Sequence, residues 1–237
     1  MDEIAEGRIE ALHAARLGCE VSTLREPGVH VVASRAPALQ LLARGRVLVV
    51  AGPRLEAEVV VALTGEPPRL PDPSALRARL GPAVARIVGP VFLGYLARAP
   101  EAPEGAGVAR AIVAADASGL ARLRDAARPD EWEHAGFTNR RPVAGVFADE
   151  RLVAAAGFEV LGGVVAHLGV LAHPAFRGRG AGSLAVAAAA ALAAEAGLLL
   201  QYQTLESNAP SRRIAAKLGF GPWARSLAVR LAAESAS

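Results

Sequence analysis

Short apolar runs alternate with amphipathic stretches along the first hundred residues. Runs such as VHVVAS and RVLVVAG have the length and β-branched content of strands, whereas wider apolar spacing between caps and glycines indicates helices. The predicted elements, in chain order, are a helix over residues 2–17, strands over 29–34 and 46–52, a helix over 53–65, and a helix over 72–81 that Asp72 or Ser74 caps. This pattern predicts an N-terminal α/β region.

A polar, proline-containing segment, EAPEGAG at residues 101–107, has the composition of a linker. We therefore expect an N-terminal region of residues 1–105 and a second domain of residues 108–237. The second domain is predicted to contain a strand at 108–116, a helix that begins at residue 117 and fades into a polar segment ending at Trp132, three strands within 141–174 joined by turns at residues 149–150 and 161–163, a helix after residue 183, a strand at 197–206, a helix at 208–219 and a strand at 220–231. This order predicts an α/β (α+β) fold with a mixed, mainly antiparallel sheet flanked by helices.

Composition narrows the classes of partner. The 26 basic and 23 acidic residues leave a net charge of only +3, basic residues are scattered, and aromatic residues are 4% of the chain, so we expect no nucleic-acid partner. The longest apolar run, residues 184–194, is shorter than the ~20 residues of a membrane span. The acidic N-terminus lacks the order of a signal peptide. We expect a cytoplasmic protein without a membrane partner, in which Cys19 is a free thiol.

The stretch HPAFRGRGAGS, at residues 173–183, precedes an alanine-rich helix. Glycines allow successive backbone N–H groups to converge on one point, and the N-terminus of a helix adds partial positive charge there. Arginine side chains contribute formal charge, so a pyrophosphate is the expected ligand. The candidate residues are Arg177, Gly178, Arg179, Gly180, Ala181, Gly182 and Ser183.

Other interpretations of this loop stay open. It is compatible with a solvated surface turn. A Walker loop is excluded because no lysine follows the glycines. A dinucleotide fingerprint, GxGxxG, is matched only in part, since Ser183 stands at its last position, although Glu206 would serve as the ribose-binding acid.

Two motifs resemble those of the GCN5-related N-acetyltransferases. VLAHPAFRGRGAGS resembles their acyl-coenzyme A signature, Arg/Gln-x-x-Gly-x-Gly/Ala, and NAPSRRIAAKLGF resembles their closing helix motif. The resemblance covers about residues 108–237. The segment DEWEHAG and the extra N-terminal half also resemble a bacterial subgroup of that family.

This resemblance implies a cofactor, acetyl-coenzyme A, and a site. In the family the loop N–H groups bind the pyrophosphate, and the preceding strand, here residues 165–172, splays from its neighbour to admit the pantetheine. Carried over, Val170, Leu171 and Ala172 offer backbone groups to the thioester arm, and Asn208 and Ser211 contact the coenzyme. The resemblance also implies an acceptor amine, either a small molecule or a peptide, and a homodimer is a further possibility.

The implied reaction requires two proton movements. His167 is the candidate base because imidazole titrates near neutrality, although a strand histidine can equally be packed or exposed. Many relatives carry an acid tyrosine where this chain has Ala215, which leaves Ser211, Tyr202 or water as the acid. His173 is expected to shape the turn, and Glu159 to project into solvent.

The acceptor contacts are predicted on the segment after the first helix of the second domain. Trp132 and Glu133 would hold a cationic amine there, and the alternative is a loop that a buried tryptophan anchors.

Three functional hypotheses follow from these residues. The first is an N-acetyltransferase acting in a ternary complex on an unidentified amine. The second, suggested by Ala215, is a coenzyme A-binding or sensor module without turnover. The third is a nucleotide-binding regulator. The first 105 residues carry no motif with assignable chemistry, and they would complete an acceptor pocket, form a dimer surface or be a second copy of the fold.

Overall fold

The structure is a computed structural model that describes residues 2–105, 107–138 and 142–232. The chain forms two compact units. The C-terminal unit comprises chiefly residues 94–203 and 210–221, and the N-terminal unit comprises residues 3–93 together with 204–209 and the chain after residue 221. The functional division into residues 1–105 and 108–237 stays a prediction.

Helices and strands follow one another along the chain in an order close to the predicted one. The elements are α1 (Glu3–Leu17), β1 (Gly28–Ala33), β2 (Ala38–Arg44), β3 (Val47–Gly52), α2 (Arg54–Val61), α3 (Pro73–Leu80), β4 (Val84–Leu96), β5 (Val108–Ala111), α4 (Ala117–Ala126), α5 (Pro129–His134), β6 (Pro142–Ala148), β7 (Arg151–Leu161), β8 (Val165–Ala172), α6 (Ala181–Glu195), β9 (Leu199–Leu205), α7 (Ala209–Lys217) and β10 (Gly221–Leu231).

The N-terminal unit contains a sheet in the order β1-β3-β2-β10-β4. Strands β1 and β3 are parallel, whereas β2 is antiparallel to both β3 and β10. Strand β2 is absent from the sequence prediction, which contained only the two strands on either side of it. Its run ALQLLAR is strand-forming because Leu39 and Leu41 enter one buried cluster with Leu48 and Val50 of β3. Asp72 caps α3, as one of the two predicted caps, by accepting from the N–H groups of Ser74 and Ala75.

A charged and aromatic cluster lies within the N-terminal unit. The Glu10 carboxylate, 2% exposed, accepts hydrogen bonds from Arg25 and Arg44. Arg44 also lies over the Trp223 ring, 4.9 Å from its centroid, and His13 stacks on the same ring at 4.6 Å. Burial lowers the pKa of His13, and the positive charges of Arg16 and Arg44 act in the same direction. Together these causes bring the pKa to about 4. His13 is therefore a neutral packing partner of Trp223 near pH 7.

The C-terminal unit contains five strands in the order β9-β8-β7-β6-β5. Strands β8 and β9 are parallel and the other neighbours are antiparallel. Both predicted turns are present. Asp149 and Glu150 have φ of 47° and 61°, and Gly162 and Gly163 have φ of 55° and 69°, as tight hairpins require. The mixed, mainly antiparallel fold is confirmed.

The polar segment into which the helix from residue 117 was predicted to fade contains a second helix, so this part of the prediction is wrong. Helix α4 ends at Ala126, and α5 begins at Pro129, its first helical residue. A residue before proline avoids helical backbone angles, and Arg128 accordingly has ψ of 148°. Trp132 thus lies within a helix rather than at the end of a polar segment.

Helices cover both faces of this sheet. Helix α6 packs on β5 to β8 through small buried side chains, which allow a close approach; they include Ala185, Ala189, Ala190 and Ala193. Helices α4 and α5 cover the other face, where Leu123 and Phe137 pack against Ala155 and Leu171 of the sheet. Among the described residues, no helix combines the length and the apolar character that crossing a membrane requires.

We expect the N-terminal unit to lose stability in mild acid because of His13. Its pKa is lower in the folded state than the ordinary 6.5, so its contribution is present above pH 6.5 and is lost as the pH falls through 4. Lowering the pH from 7.5 to 5 should reduce the free energy of unfolding by about 2 kcal/mol through this group alone. Urea unfolding at both pH values measures the change.

The matched variants are His13→Phe, which keeps a ring beside Trp223 but cannot titrate, and His30→Phe, which removes a half-buried imidazole on β1. The acid-dependent loss should shrink in His13→Phe and persist in His30→Phe. An equal loss in all three proteins contradicts the role of His13.

Candidate functional site

The parallel ladder between β8 and β9 ends before either strand does. Pairing runs from Val165 opposite Leu199 to Leu168 opposite Tyr202, whereas β8 continues to Ala172. On its other side, β8 stays paired with β7 up to Ala172 opposite Ala154. The last four residues of β8 therefore keep one neighbour and part from the other.

The direction of the backbone groups in this part of β8 follows from two hydrogen bonds. The N–H of Leu199 donates to the carbonyl of Val164, and the N–H of His173 donates to Val153 of β7. Because backbone groups alternate along a strand, the even-numbered residues face β9 and the odd-numbered ones face β7. The N–H groups of Val170 and Ala172 thus face the opening. Leu171, the third predicted contact, turns its N–H toward β7 and buries its side chain in the core.

The glycine loop leads directly into α6. Gly178 and Gly180 have φ of 78° and 84°, backbone angles that residues other than glycine rarely adopt. Gly180 is the N-cap residue of α6. The first intrahelical bond joins the N–H of Leu184 to the carbonyl of Gly180. The N–H groups of Ala181, Gly182 and Ser183 precede it and have no acceptor within the helix. This end of α6 therefore offers several hydrogen-bond donors and a positive dipole.

Two of these glycines allow close packing. A Cβ at Gly180 would lie 3.1 Å from the carbonyl oxygen of Glu104. A Cβ at Gly182 would lie 3.2 Å from Cδ1 of Ile214 on α7 and 3.9 Å from Val170 on β8. The absence of a side chain at Gly182 therefore lets α6, α7 and the end of β8 pack closely together.

The two loop arginines have different partners. Arg177 donates to the carbonyl of Ala172 and to the Glu131 carboxylate, at 2.9 Å, so its charge is largely matched. The hydrogen bond from Arg177 is the main cause that lowers the pKa of Glu131. Arg179 is exposed and lies 5.5 Å from the centroid of the Phe176 ring, within cation–π range.

His173 shapes the turn, as expected from the sequence. Its Nδ1 accepts a hydrogen bond from the N–H of Ala175, and its ring meets Phe176 edge to face at 5.6 Å. The single helical turn of residues 174–176 is fixed in this way.

His167 lies on the face of the sheet that α4 and α5 cover. Its Nδ1 is 2.7 Å from Oε1 of Gln201, its neighbour on β9. Gln201 is wholly buried and donates through Nε2 to the hydroxyl of Tyr95. On the other side, Glu159 of β7 stands directly opposite His167 and is exposed, as expected for its carboxylate.

Tyr202 and Ser211 form a hydroxyl pair on the opposite face of the sheet. Their oxygens are 2.9 Å apart. Tyr202 is 2% exposed and packs against Phe220, and burial raises the pKa of its phenol to about 12. Ala215 is wholly buried one helical turn after Ser211. The chain therefore supplies hydroxyl groups beside the position where relatives carry a tyrosine.

The remaining predicted residues lie in less distinctive places. Trp132 meets Phe137 edge to face at 5.2 Å and packs against the cluster around Leu123, while Glu133 is exposed on α5. Asn208 belongs to the segment 204–209 of the N-terminal unit, where its N–H donates to Leu205. Their contacts with an acceptor or a coenzyme stay predictions.

Sequence reasoning missed three residues of this arrangement. The sequence prediction named Trp132 and Glu133 but not Glu131. Glu131 lies three residues after Arg128 and accepts from its N–H, as the glutamate of a capping box does. Gln201 and Tyr95 have no motif. The available signal was a polar glutamine within the apolar run LLQYQTL of a predicted strand, where burial demands partners.

The residues present fit acetyl-coenzyme A at two points. The unpaired N–H groups at the start of α6 suit a pyrophosphate, with Arg179 beside them. The side-chain-free position at Gly182 lies next to the free edge of β8, where Val170 and Ala172 turn their backbone groups outward. A narrow chain with amide groups can bind along such an edge as an added strand does.

Part of the chain matches a known protein family, and several solved structures are similar to it. Residues 104–220 match the family model described as acetyltransferase (GNAT) family. A search of curated proteins finds no match. Among solved structures, the chain is similar to a GCN5-related N-acetyltransferase from Kribbella flavida, with 21% identity over 97% of this chain and 96% of that one and a TM-score of 0.48.

Two further structures show a similar level of likeness. A GNAT-family acetyltransferase from Colwellia psychrerythraea is 18% identical over 67% of this chain and 61% of that chain, with a TM-score of 0.49. A Salmonella typhimurium protein solved with its cofactor acetyl-CoA is 19% identical over 56% of this chain and 97% of that chain, with a TM-score of 0.39. By the family match, residues 104–220 carry a domain of the acetyltransferase (GNAT) family.

Proposed function

We propose that this protein transfers the acetyl group of acetyl-coenzyme A to an amine by direct attack in a ternary complex. The observation that carries the proposal is the free edge of β8 beside the glycine-bounded start of α6. When bound, acetyl-coenzyme A supplies an activated thioester. The acceptor is an amine of a small molecule or peptide, and the cytoplasmic location and the homodimer stay predictions.

Backbone groups do the binding in this proposal. The N–H groups of Ala181, Gly182 and Ser183 bind the pyrophosphate, and Arg179 adds charge. The N–H groups of Val170 and Ala172 hold the thioester arm, and one of them can stabilise negative charge on a carbonyl oxygen. Arg177 contributes by holding the end of β8 to α5 through Ala172 and Glu131.

His167 acts as the base. A carbonyl oxygen of Gln201 lies beside its Nδ1, so Nδ1 carries the proton and Nε2 has the lone pair that accepts a proton from the amine. Trp132 and Glu133, on α5, are the proposed acceptor contacts on this same face.

The hydroxyl pair of Tyr202 and Ser211 acts as the acid for the leaving sulfur. A phenol with a pKa of about 12 stays protonated at neutral pH and therefore has a proton to give. Ser211 can relay that proton because the two oxygens are within hydrogen-bond distance. Base and acid lie on opposite faces of the sheet, on either side of the opening between β8 and β9.

Ala215 favours a second candidate function, a coenzyme A-binding module without turnover. This chain has alanine at position 215, where many relatives carry the tyrosine that serves as the acid. The discriminating experiment incubates the full chain with acetyl-coenzyme A and a panel of polyamines, amino acids, aminoglycosides and peptides, and measures released thiol. Release with any amine supports transfer, and tight binding with no release across the panel supports the sensor. Preference for NAD or ATP over coenzyme A in thermal-shift titration would instead support a nucleotide-binding regulator.

Gly182→Glu should abolish coenzyme A binding. Its side chain would start 3.9 Å from Val170 and bring a negative charge to the N–H groups that bind the pyrophosphate. We expect at least a hundredfold increase in Kd by calorimetry, with the fold intact, because the nearest atom is the flexible end of Ile214. Gly221→Glu adds the same charge where the Cβ meets nothing, so it should bind normally. Equal affinities for both variants would place the coenzyme elsewhere.

His167→Ala should lower kcat about 100-fold, the lower end of what a general base contributes. The dissociation constant of coenzyme A should not change, because the binding groups are backbone N–H groups. Steady-state kinetics with the best amine of the panel and calorimetry provide the two values. His30→Ala, which removes a half-buried histidine on β1 of the N-terminal unit, is the control. A full rate in His167→Ala removes His167 from the mechanism.

Tyr202→Phe and Ser211→Ala should each lower kcat about tenfold, the value of roughly one hydrogen bond to a charged group. The double variant should be no slower than the slower single variant, because the two hydroxyls act as one relay. Since burial raises the pKa of Tyr202 to about 12, kcat of the unaltered protein should not fall between pH 8 and 10. Independent, additive losses would show that the hydroxyls do not act together.

A further inference from the structure

A buried amide lies between His167 and a tyrosine of β4. Gln201 has no exposed surface, and Tyr95 is 4% exposed. The Oε1 atom of Gln201 is 2.7 Å from Nδ1 of His167, and its Nε2 donates to the Tyr95 hydroxyl. Both ends of the amide are thus engaged within the C-terminal unit.

The cost of burial explains why this contact is informative. Burying an amide without partners costs at least about 1–3 kcal/mol, and the neighbouring positions Leu199 and Leu200 show that the strand accepts apolar residues. Gln201 instead satisfies its donor at Tyr95 and directs its acceptor at His167. In this orientation the NH₂ group donates to the phenol oxygen of Tyr95, and Oε1 faces His167.

A fixed carbonyl oxygen determines which ring nitrogen holds the proton. A carbonyl can only accept, so Nδ1 of His167 must donate. A neutral imidazole has one N–H, and its lone pair is then on Nε2. Parallel pairing of His167 with Gln201 places both side chains on one face, so the contact follows from the strand register.

We propose that Gln201, held by Tyr95, is a positioning residue that fixes the ring and tautomer of His167 so that Nε2 faces the acceptor amine. Gln201 does not touch substrate; it acts through His167. This inference rests on the proposed role of His167 as the base. It adds two buried side chains, Gln201 and Tyr95, that determine the ring orientation and tautomer of that base.

The experiment compares Gln201→Met, Gln201→Glu and Leu199→Met in the full chain. Gln201→Met has a similar volume but no acceptor. The carboxylate of Gln201→Glu can still accept from Nδ1 and also from the Tyr95 hydroxyl. Leu199→Met, on the same strand and face, is the control for altered packing. Nitrogen NMR of labelled histidine reports the tautomer, and kinetics report kcat and KM separately.

We expect the Nδ1–H tautomer in the unaltered protein, in Gln201→Glu and in Leu199→Met. In Gln201→Met, the population should move toward Nε2–H, and kcat should fall about tenfold while KM for acetyl-coenzyme A stays the same. Tyr95→Phe should give a smaller change in the same direction and provides a second test if Gln201→Met fails to fold. An unchanged tautomer in Gln201→Met or, failing that, in Tyr95→Phe overturns the proposal, as does an unchanged kcat.

The NMR measurement separates this proposal from the proposed function. If His167→Ala keeps full activity while Gln201→Met shifts the tautomer, the base assignment fails and the proposal falls with it, leaving a purely structural contact. If His167→Ala loses activity while Gln201→Met behaves as the unaltered protein, the base assignment holds and the positioning role alone is wrong.

Discussion

The early end of the ladder between β8 and β9 is the constraint on which the site depends. A parallel pair that continued to Ala172 would use the outward backbone groups of Val170 and Ala172 in the sheet itself. Because pairing stops at Leu168, those groups remain at an edge inside the sheet, next to the start of α6. His167 and Tyr202 lie at the last two paired positions before this opening and on opposite faces of the sheet, which is why the proposed reaction assigns the base and the acid to them.

Packing around the glycine loop keeps that edge open. Gly180 approaches the backbone of Glu104, and Gly182 approaches Ile214, so α6 begins close to its neighbours and beside Val170 at the end of β8. Arg177 ties the end of β8 to Glu131 on α5. The charge of Arg177 is used largely for structure, which leaves Arg179 and the helix dipole to attract an anion.

The sequence indicated much of the C-terminal unit because its local signals agree with its tertiary contacts. Strand β8 has the predicted bounds, and the turns at residues 149–150 and 162–163 have the backbone angles that their residue types suggest. Strand β2 was missed because its stability comes from long-range packing of Leu39 and Leu41 rather than from a local pattern. The break before Pro129 could have been predicted, because the residue before a proline avoids helical backbone angles. The helical spacing of the apolar residues hid this local signal.

The site was predictable where it consists of backbone groups and hidden where it depends on paired side chains. Glycine spacing indicates exposed N–H groups, since only their conformation matters, but no spacing reveals that residues 95 and 201 meet. To predict the contact between His167 and Gln201, one would need the register of β8 against β9, because the two residues are 34 positions apart in the sequence. Glu131 shows the intermediate case, because its capping role is local while its bond to Arg177 is not.

Ala215 is best understood together with Tyr202. A phenol placed on helix α7 would reach the opening from the helix, whereas here the phenol comes from β9 and bonds to Ser211, one turn before Ala215 on the same helical face. Its burial keeps it protonated, and its packing on Phe220 keeps it in place. The loss of the helix tyrosine therefore need not remove the acid, since the same function can be carried by a residue on the neighbouring element.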